Sequence, residues 1–229
     1  MIEELEYRRD LEARVTQQTH VDEDGTDVSA VSFRESAFTD VVLETLLDLG
    51  QVPDIETCYF RRTIGRYAVK VNGWACDKDS GEVDLVTTLY AGAGGPESFP
   101  PSEVRSAITR AARVVAESHR GVHREMEPAS PAWDMMQSLH EAASDVTKVR
   151  VVVASDLALK DIGKLEHDFP FEIQADVWDL TRLHRAEASG LPYEPVAIDL
   201  VARLGRGLPC IPAPDISEEY DAYLALIPG

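Results

Sequence analysis

The chain has 229 residues, 44% of them hydrophobic, and a formal net charge of −19 from 22 Lys and Arg against 41 Asp and Glu. That length holds one large or two small domains, and the apolar share suffices for a real core. The acidity excludes a broad electrostatic grip on nucleic acid and leaves room only for local basic patches; the longest apolar runs, "VRVVVASDLAL" and "YLALIPG", are too short to span a bilayer.

In chain order, residues 1–35 read as a charged helix followed by the acidic loop "TQQTHVDEDGTDVSA". The segment "SAFTDVVLETLLDLG" places Phe38, Val41, Val42, Thr45, Leu46 and Leu49 on one helical face, with Ser36 as cap and Gly50 as stop. Three strands follow in "TCYFRRT", "RYAVKVNGWACD" and "EVDLVTTLY", joined by Ile64-Gly65 and the turn "DKDSG". After "AGAGGPESFPP", read as a linker, a helix starts at Ser102 as N-cap and stops at Gly121, and a second helix spans "PAWDMMQSLHEAAS". A buried strand "TKVRVVVASD", a strand "FEIQADVWD", a helix "LTRLHRAEAS" capped by Asp179, and short strands in "EPVAIDLV" and "LPCIPAP" complete the α/β domain, set at residues 36–215. Residues 216–229 read as a terminal strand. Cys58, Cys76 and Cys210 are odd in number and lack CxxC or Cys/His zinc spacing, as expected of reduced thiols in a cytoplasmic protein.

The order is an αβββαβ unit, a mixed sheet flanked by helices with extra C-terminal strands, the core arrangement of restriction-endonuclease-like nucleases. Beyond that order, "FTDVVLETLLDLG", "VNGWACDKDSGEVDLVTTLY", "VRVVVASD", "VWDLTRLHR" and "GLPCIPAPDISEEYDAYLALIPG" resemble the N-terminal region of abortive-infection phage-resistance (AIPR) proteins, from about Ala37 to Gly229. In that family the segment like "YLALIPG" leads into a long C-terminal region, so the chain resembles an N-terminal fragment or a naturally short version. The resemblance implies an intracellular role in defence against phage and a PD-(D/E)xK nuclease-like core.

A metal-dependent nuclease of this class needs carboxylates converging on Mg²⁺ or Mn²⁺, and a Lys for the developing charge. Carried over by position, Glu44 takes the place of the helical acid and Asp84 that of the third-strand acid, as metal ligands. Asn72 stands where the second-strand acid belongs and Val86 where the Lys belongs. Strand alternation puts Lys70, Asn72 and Trp74 on one face, so Lys70 can supply the ammonium. Arg61, Arg62 and Arg66 are the candidate nucleic-acid contacts. The bland reading of the same acids is the polar face and turn of a hairpin, and it carries more weight. His119 and His123 read as solvated histidines near a helix end, and Arg182, His184 and Arg185 as the first turns of a capped, packed helix.

Two functions stay open. One is a metal-dependent nuclease domain acting on DNA or RNA. The other is a catalytically silent nuclease-like module that binds a protein partner, the family's C-terminal region or a second copy, through Tyr223, Leu224, Ala225, Leu226 and Ile227 as an association edge. An acidic DNA mimic ranks last, because the acids are scattered and interrupted by Arg.

Overall fold

The computed structural model describes residues 2–21, 30–78, 80–128, 130–189, 210–212 and 223–225. They fall in two compact units, Met1–Pro192 and Tyr193–Gly229. The first holds helices α1 (Ile2–Val21) and α2 (Ala30–Asp48), strands β1 (Glu56–Ile64), β2 (Tyr67–Asp77) and β3 (Glu82–Leu89), helices α3 (Pro101–Ser118) and α4 (Pro131–Glu141), strands β4 (Lys148–Ser155) and β5 (Glu172–Trp178), and helix α5 (Leu180–Ser189). The second holds β6 (Cys210–Pro212) antiparallel to β7 (Tyr223–Ala225). The segment "EPVAIDLV" and residues Leu226 and Ile227 lie outside the described residues.

A five-stranded mixed sheet in the order β1-β2-β3-β4-β5 organises the first unit. β1, β2 and β3 pair antiparallel, while β4 runs parallel to both β3 and β5. Apolar residues line both faces of the central strands, as strands buried on two sides require. Val149, Val151 and Val153 of β4 join Val83 and Leu85 under α3 and α4, whereas Val152, Ala154 and Val86 join α1, α2 and α5 on the opposite face. The result is a helix–sheet–helix sandwich with two hydrophobic layers.

Helix α2 buries the stripe expected of it: Phe38, Val42 and Leu46 are no more than 1% exposed. Each such side chain stabilises by about 1.5–3 kcal/mol on burial. The helix starts at Ala30, seven residues before the Ala37 start that a Ser36 cap implies. The Ser36 hydroxyl instead donates back to the Ser32 carbonyl at 3.0 Å, within the helix. A local capping signal has given way to packing, since Ser32 is itself buried. Helix α1 contributes Leu11 and Val15 to the same layer, so it is built into the core.

Helix α3 begins on Pro101, with Pro100 as its cap and no side-chain cap bond, so Ser102 lies inside the first turn. Proline at the first helical position gives up an amide that has no helical partner and presets the dihedral. The helix ends at Ser118, and Gly121 (φ 74°) makes the left-handed turn beyond it, as read from the sequence. Asp179 caps α5 by accepting the Arg182 amide at 2.9 Å, and its other oxygen takes the Leu159 amide at 2.8 Å. Arg182 folds back over the Trp178 ring at 3.6 Å and pairs with Asp176 at 2.6 Å, the packed role expected of it. Between β4 and β5 the chain returns along residues 156–171 without a helix, anchored by Leu157, Ile162, Leu165, Phe169 and Phe171.

Candidate functional site

Polar side chains gather at the end of the sheet where β2 begins and β3 ends. The β2–β3 ladder reaches from Asp77↔Glu82 to Gly73↔Val86 and stops. Beyond it, side chains replace the main-chain ladder. Asn72 Oδ1 accepts the Thr88 amide at 2.9 Å, and Lys70 Nζ donates to the Thr88 carbonyl at 3.0 Å. Glu35 of α2 closes the network from above, with Oε1 2.6 Å from Lys70 Nζ and accepting from Asn72 Nδ2 at 2.6 Å. Thr39, one turn further along α2, shares a 2.8 Å hydroxyl hydrogen bond with Thr88. Asn72 is 3% exposed, so an unmade bond here would leave a dry polar group at a cost of about 1–3 kcal/mol.

A break in the strand's alternation produces this arrangement. Val69 and Val71 face α3, and Asn72 faces α2, but a Cβ on Gly73 would also meet α2, at 3.6 Å from Leu43 Cδ1, and would come within 3.0 Å of Ile55 Cγ2. Two consecutive residues therefore point to one side, and Trp74 returns to the α3 layer. The expectation that Trp74 shares a face with Lys70 and Asn72 is corrected on this point: the glycine absorbs the slip.

The sequence-derived metal ligands sit elsewhere. Asp84 is four residues before Thr88 on the same strand face, about 13 Å away along β3. Arg150 Nε donates to its carboxylate, and Arg150 Nη1 donates to the Gln51 carbonyl at 3.1 Å. Glu82 is held likewise by Lys148 at 3.0 Å, its neighbour in the parallel β3–β4 register. Asp84 and Glu82 line a cleft of about 550 Å³ with Asp54, Asp77, Lys148 and Arg150. Glu44 is exposed on α2, nine residues from Glu35, which is about 14 Å of rise and half a turn around the helix. Lys70 and Asn72 thus come together, while Asp84 and Glu44 join neither them nor each other.

Glu35 is the residue that sequence reasoning missed. With α2 started at Ser36 it fell outside the helix, although it shares the helical face of Thr39 and Val42 at i+4 and i+7.

Two further features complete the sheet end. Asp156, 1% exposed, accepts the amides of Ala91 at 2.7 Å and Gly92 at 2.9 Å, pinning the glycine-rich segment after β3 to the end of β4. Arg8 of α1 reaches the same carboxylate at 3.4 Å. Among the candidate nucleic-acid contacts, Arg61 and Arg62 are exposed but lie on opposite faces of β1: Arg61 sits opposite Lys70 and Arg62 opposite Val69. Arg66, at the hairpin tip, donates to the Tyr67 hydroxyl at 2.7 Å.

The histidines differ from their expected solvated state. His123 is buried on a short 3-10 turn (Val122–Glu125), with its ring 4.8 Å from that of His140 and edge-on to Trp133. Burial, reinforced by His140, pushes the pKa of both His119 and His123 below the ordinary value; Arg124 adds to this for His123, and Glu141 opposes it. Burial likewise raises the Cys58 thiol to about 11, so it stays protonated and unreactive.

The family model for the abortive infection phage resistance protein N-terminal domain matches residues 38–185, which run from the third turn of α2 to α5 and take in the whole five-stranded sheet. The chain belongs to this family. Neither a curated protein nor a solved structure matches it. The AIPR match begins just after Glu35 and includes Lys70, Asn72 and Thr88, so most of the polar network lies inside the family domain.

Mg²⁺ and Mn²⁺ are hard cations that take several oxygen donors, usually with more than one carboxylate. At the Glu35 end the carboxylate that joins the Lys70 and Asn72 network is already bonded to an ammonium and an amide. At the Asp84 end Glu82 and Asp84 each have their own cation. Among the described residues no group of three or more His, Cys, Asp or Glu is placed to hold a metal ion. The described residues at these two places do not fit a catalytic divalent ion. None of the described helices is long and apolar enough to cross a membrane.

Proposed function

We propose that the chain serves anti-phage defence as a non-hydrolytic, nuclease-like binding module of the cytoplasm. The observation that carries this reading is the Lys70 ammonium, 2.6 Å from Glu35 and 3.0 Å from the Thr88 carbonyl. It occupies the Glu35 carboxylate, the acid bonded into this network among the described residues. A lysine held this way commits two of its three N–H donors to the protein and ties β2, β3 and α2 together.

The partner in this reading is a protein: the C-terminal region of the same family, a second copy, or another defence subunit. It adds to an association edge assigned to Tyr223–Ile227; of these residues Tyr223–Ala225 are described, and they pair with Cys210–Pro212. A strand paired on one side offers main-chain donors and acceptors to a newcomer. Sedimentation of the full chain and of a variant ending at Asp221, alone and with the C-terminal region, tests it. The proposal expects association that the deletion abolishes while the fold of residues 1–192 persists. A monomer in every case would refute the association edge.

The competing reading, Mg²⁺- or Mn²⁺-dependent cleavage of DNA or RNA, requires Asp84 to leave Arg150 or Glu35 to leave Lys70. It predicts that Asp84→Ala or Glu35→Ala abolishes a measurable cleavage.

A further inference from the structure

Positive charge is not spread evenly over this acidic chain. From Thr57 to Cys76 the β1–β2 hairpin contains four cations and no acid, and from Val104 to Ala116 helix α3 contains three arginines and no acid. The two elements pack together through Val69, Val71, Val104 and Ile108. Eight cations elsewhere or on the opposite face are ion-paired, Lys70 among them, but Arg62, Arg66 and Arg113 have no carboxylate partner among the described residues.

Aromatic rings are interleaved with these guanidinium groups. Arg113 lies between the Tyr67 ring at 4.2 Å and the Phe169 ring at 4.5 Å, and Arg66 lies over Tyr67 at 5.0 Å. The stack continues from buried Phe171 to Phe169, 5.3 Å apart and within 6° of parallel, and on to exposed His167 at 5.7 Å. By strand alternation Arg62 is on the same face as Phe60 and Ile64, towards α3, whereas Arg61 points to the other face. The crossover bearing Phe169 adds Glu166 and Asp168 beside His167, so the positive charge comes from the hairpin and α3.

We infer that this face, Arg62, Arg66, Tyr67, Arg113, His167 and Phe169, binds single-stranded nucleic acid. Phosphates dock on the three unpaired guanidinium groups, and a base extends the aromatic stack at His167. Stacking on interleaved aromatics tolerates any base and needs an unpaired one, which favours a single strand over a duplex. The short cationic patch in a chain of net charge −19 also favours a brief contact over a long duplex track. This inference is independent of the Lys70 network, which lies on the other face of the sheet.

Fluorescence anisotropy of the full chain with labelled dT and rU oligomers, and with an unlabelled duplex as competitor, tests it. Three neutralised phosphates give a salt slope of about −2 for a single strand, so affinity should fall about 20-fold between 50 and 200 mM NaCl. The variant R62E/R66E, altered only at exposed positions, should lose at least about tenfold, and His167→Ala about fivefold. R61E makes the same charge change on the opposite face and should cost less than a third of what R62E costs. Circular dichroism confirms that each variant is folded. Absence of binding at 50 mM NaCl, equal losses in R61E and R62E, or preference for the duplex would each overturn the inference. Capture of a protein through Arg62 without any nucleic-acid binding would overturn it as well.

Discussion

Replacing Lys70 by Met removes the ammonium at the splayed end of β2 and β3 and keeps most of its volume. The pair it forms with Glu35 is largely dry, with the two side chains 15% and 12% exposed. Loss of one member of a buried pair costs about 3–5 kcal/mol, because the other charge stays buried and uncompensated. Here the Thr88 carbonyl also loses its donor. Residual exposure on both sides lets water offset part of this, so the lower end, about 3 kcal/mol, is the expected loss. In a domain of this size that lowers Tm by about 6–12 °C. Urea unfolding with a constant m-value and calorimetry measure it. The double variant Lys70→Met with Glu35→Leu should recover more than half the loss, since two apolar residues can replace a buried pair at little cost. A Lys70→Met protein within about 0.5 kcal/mol of the parent, or a double variant worse than the sum of the singles, would refute the argument.

Other consequences are equally open to measurement. Asp84→Asn should destabilise by about 1–2 kcal/mol, less than Lys70→Met, because the Asp84–Arg150 pair is more exposed and Arg150 keeps the Gln51 carbonyl; urea midpoints decide it. Gly81→Ala should cost at least about 2 kcal/mol, since its φ of 70° disfavours a side chain and the added Cβ would collide with the Asp145 carbonyl. His119 and His123 have folded pKa values depressed below 6.5, so the unfolded chain binds more protons in that range. Their contribution is fully present above pH 6.5 and is lost as pH falls through the depressed values. Between pH 7.5 and 5.5 the parent should lose more stability than a His119→Gln/His123→Gln variant, and equal losses would show that the pair does not govern this window.

Much of the fold was legible because its signals are local and periodic. The stripe from Phe38 to Leu46, the Gly121 stop and the Asp179 cap follow from spacing and residue type, and the valines of β4 announce a strand buried on both faces. What escaped depends on contacts between distant segments. The early start of α2 goes with tertiary burial of Ser32, and a helix begun at Ser36 left Glu35 outside it. The slip at Asn72 and Gly73 has no signature in hydrophobic alternation; it becomes visible only when Leu43 and Ile55 crowd the glycine. The acids of "DKDSGEVD" read more readily as a rim than as ligands, but the partners of Glu82 and Asp84, Lys148 and Arg150, were out of reach of that reading, since they are more than sixty residues away and arrive by parallel pairing with β4.

The central claim, that the polar sheet end is closed by Lys70 and does no metal chemistry, is tested most directly by Mn²⁺ titration calorimetry of the full chain, run in parallel with Glu35→Gln and Asp84→Asn. The account predicts no saturable Mn²⁺ binding that depends on either carboxylate, with the parent and both variants giving superimposable heats. A stoichiometric Mn²⁺ site lost in Glu35→Gln or in Asp84→Asn, accompanied by Mn²⁺-dependent cleavage of DNA or RNA lost in the same variant, would contradict it.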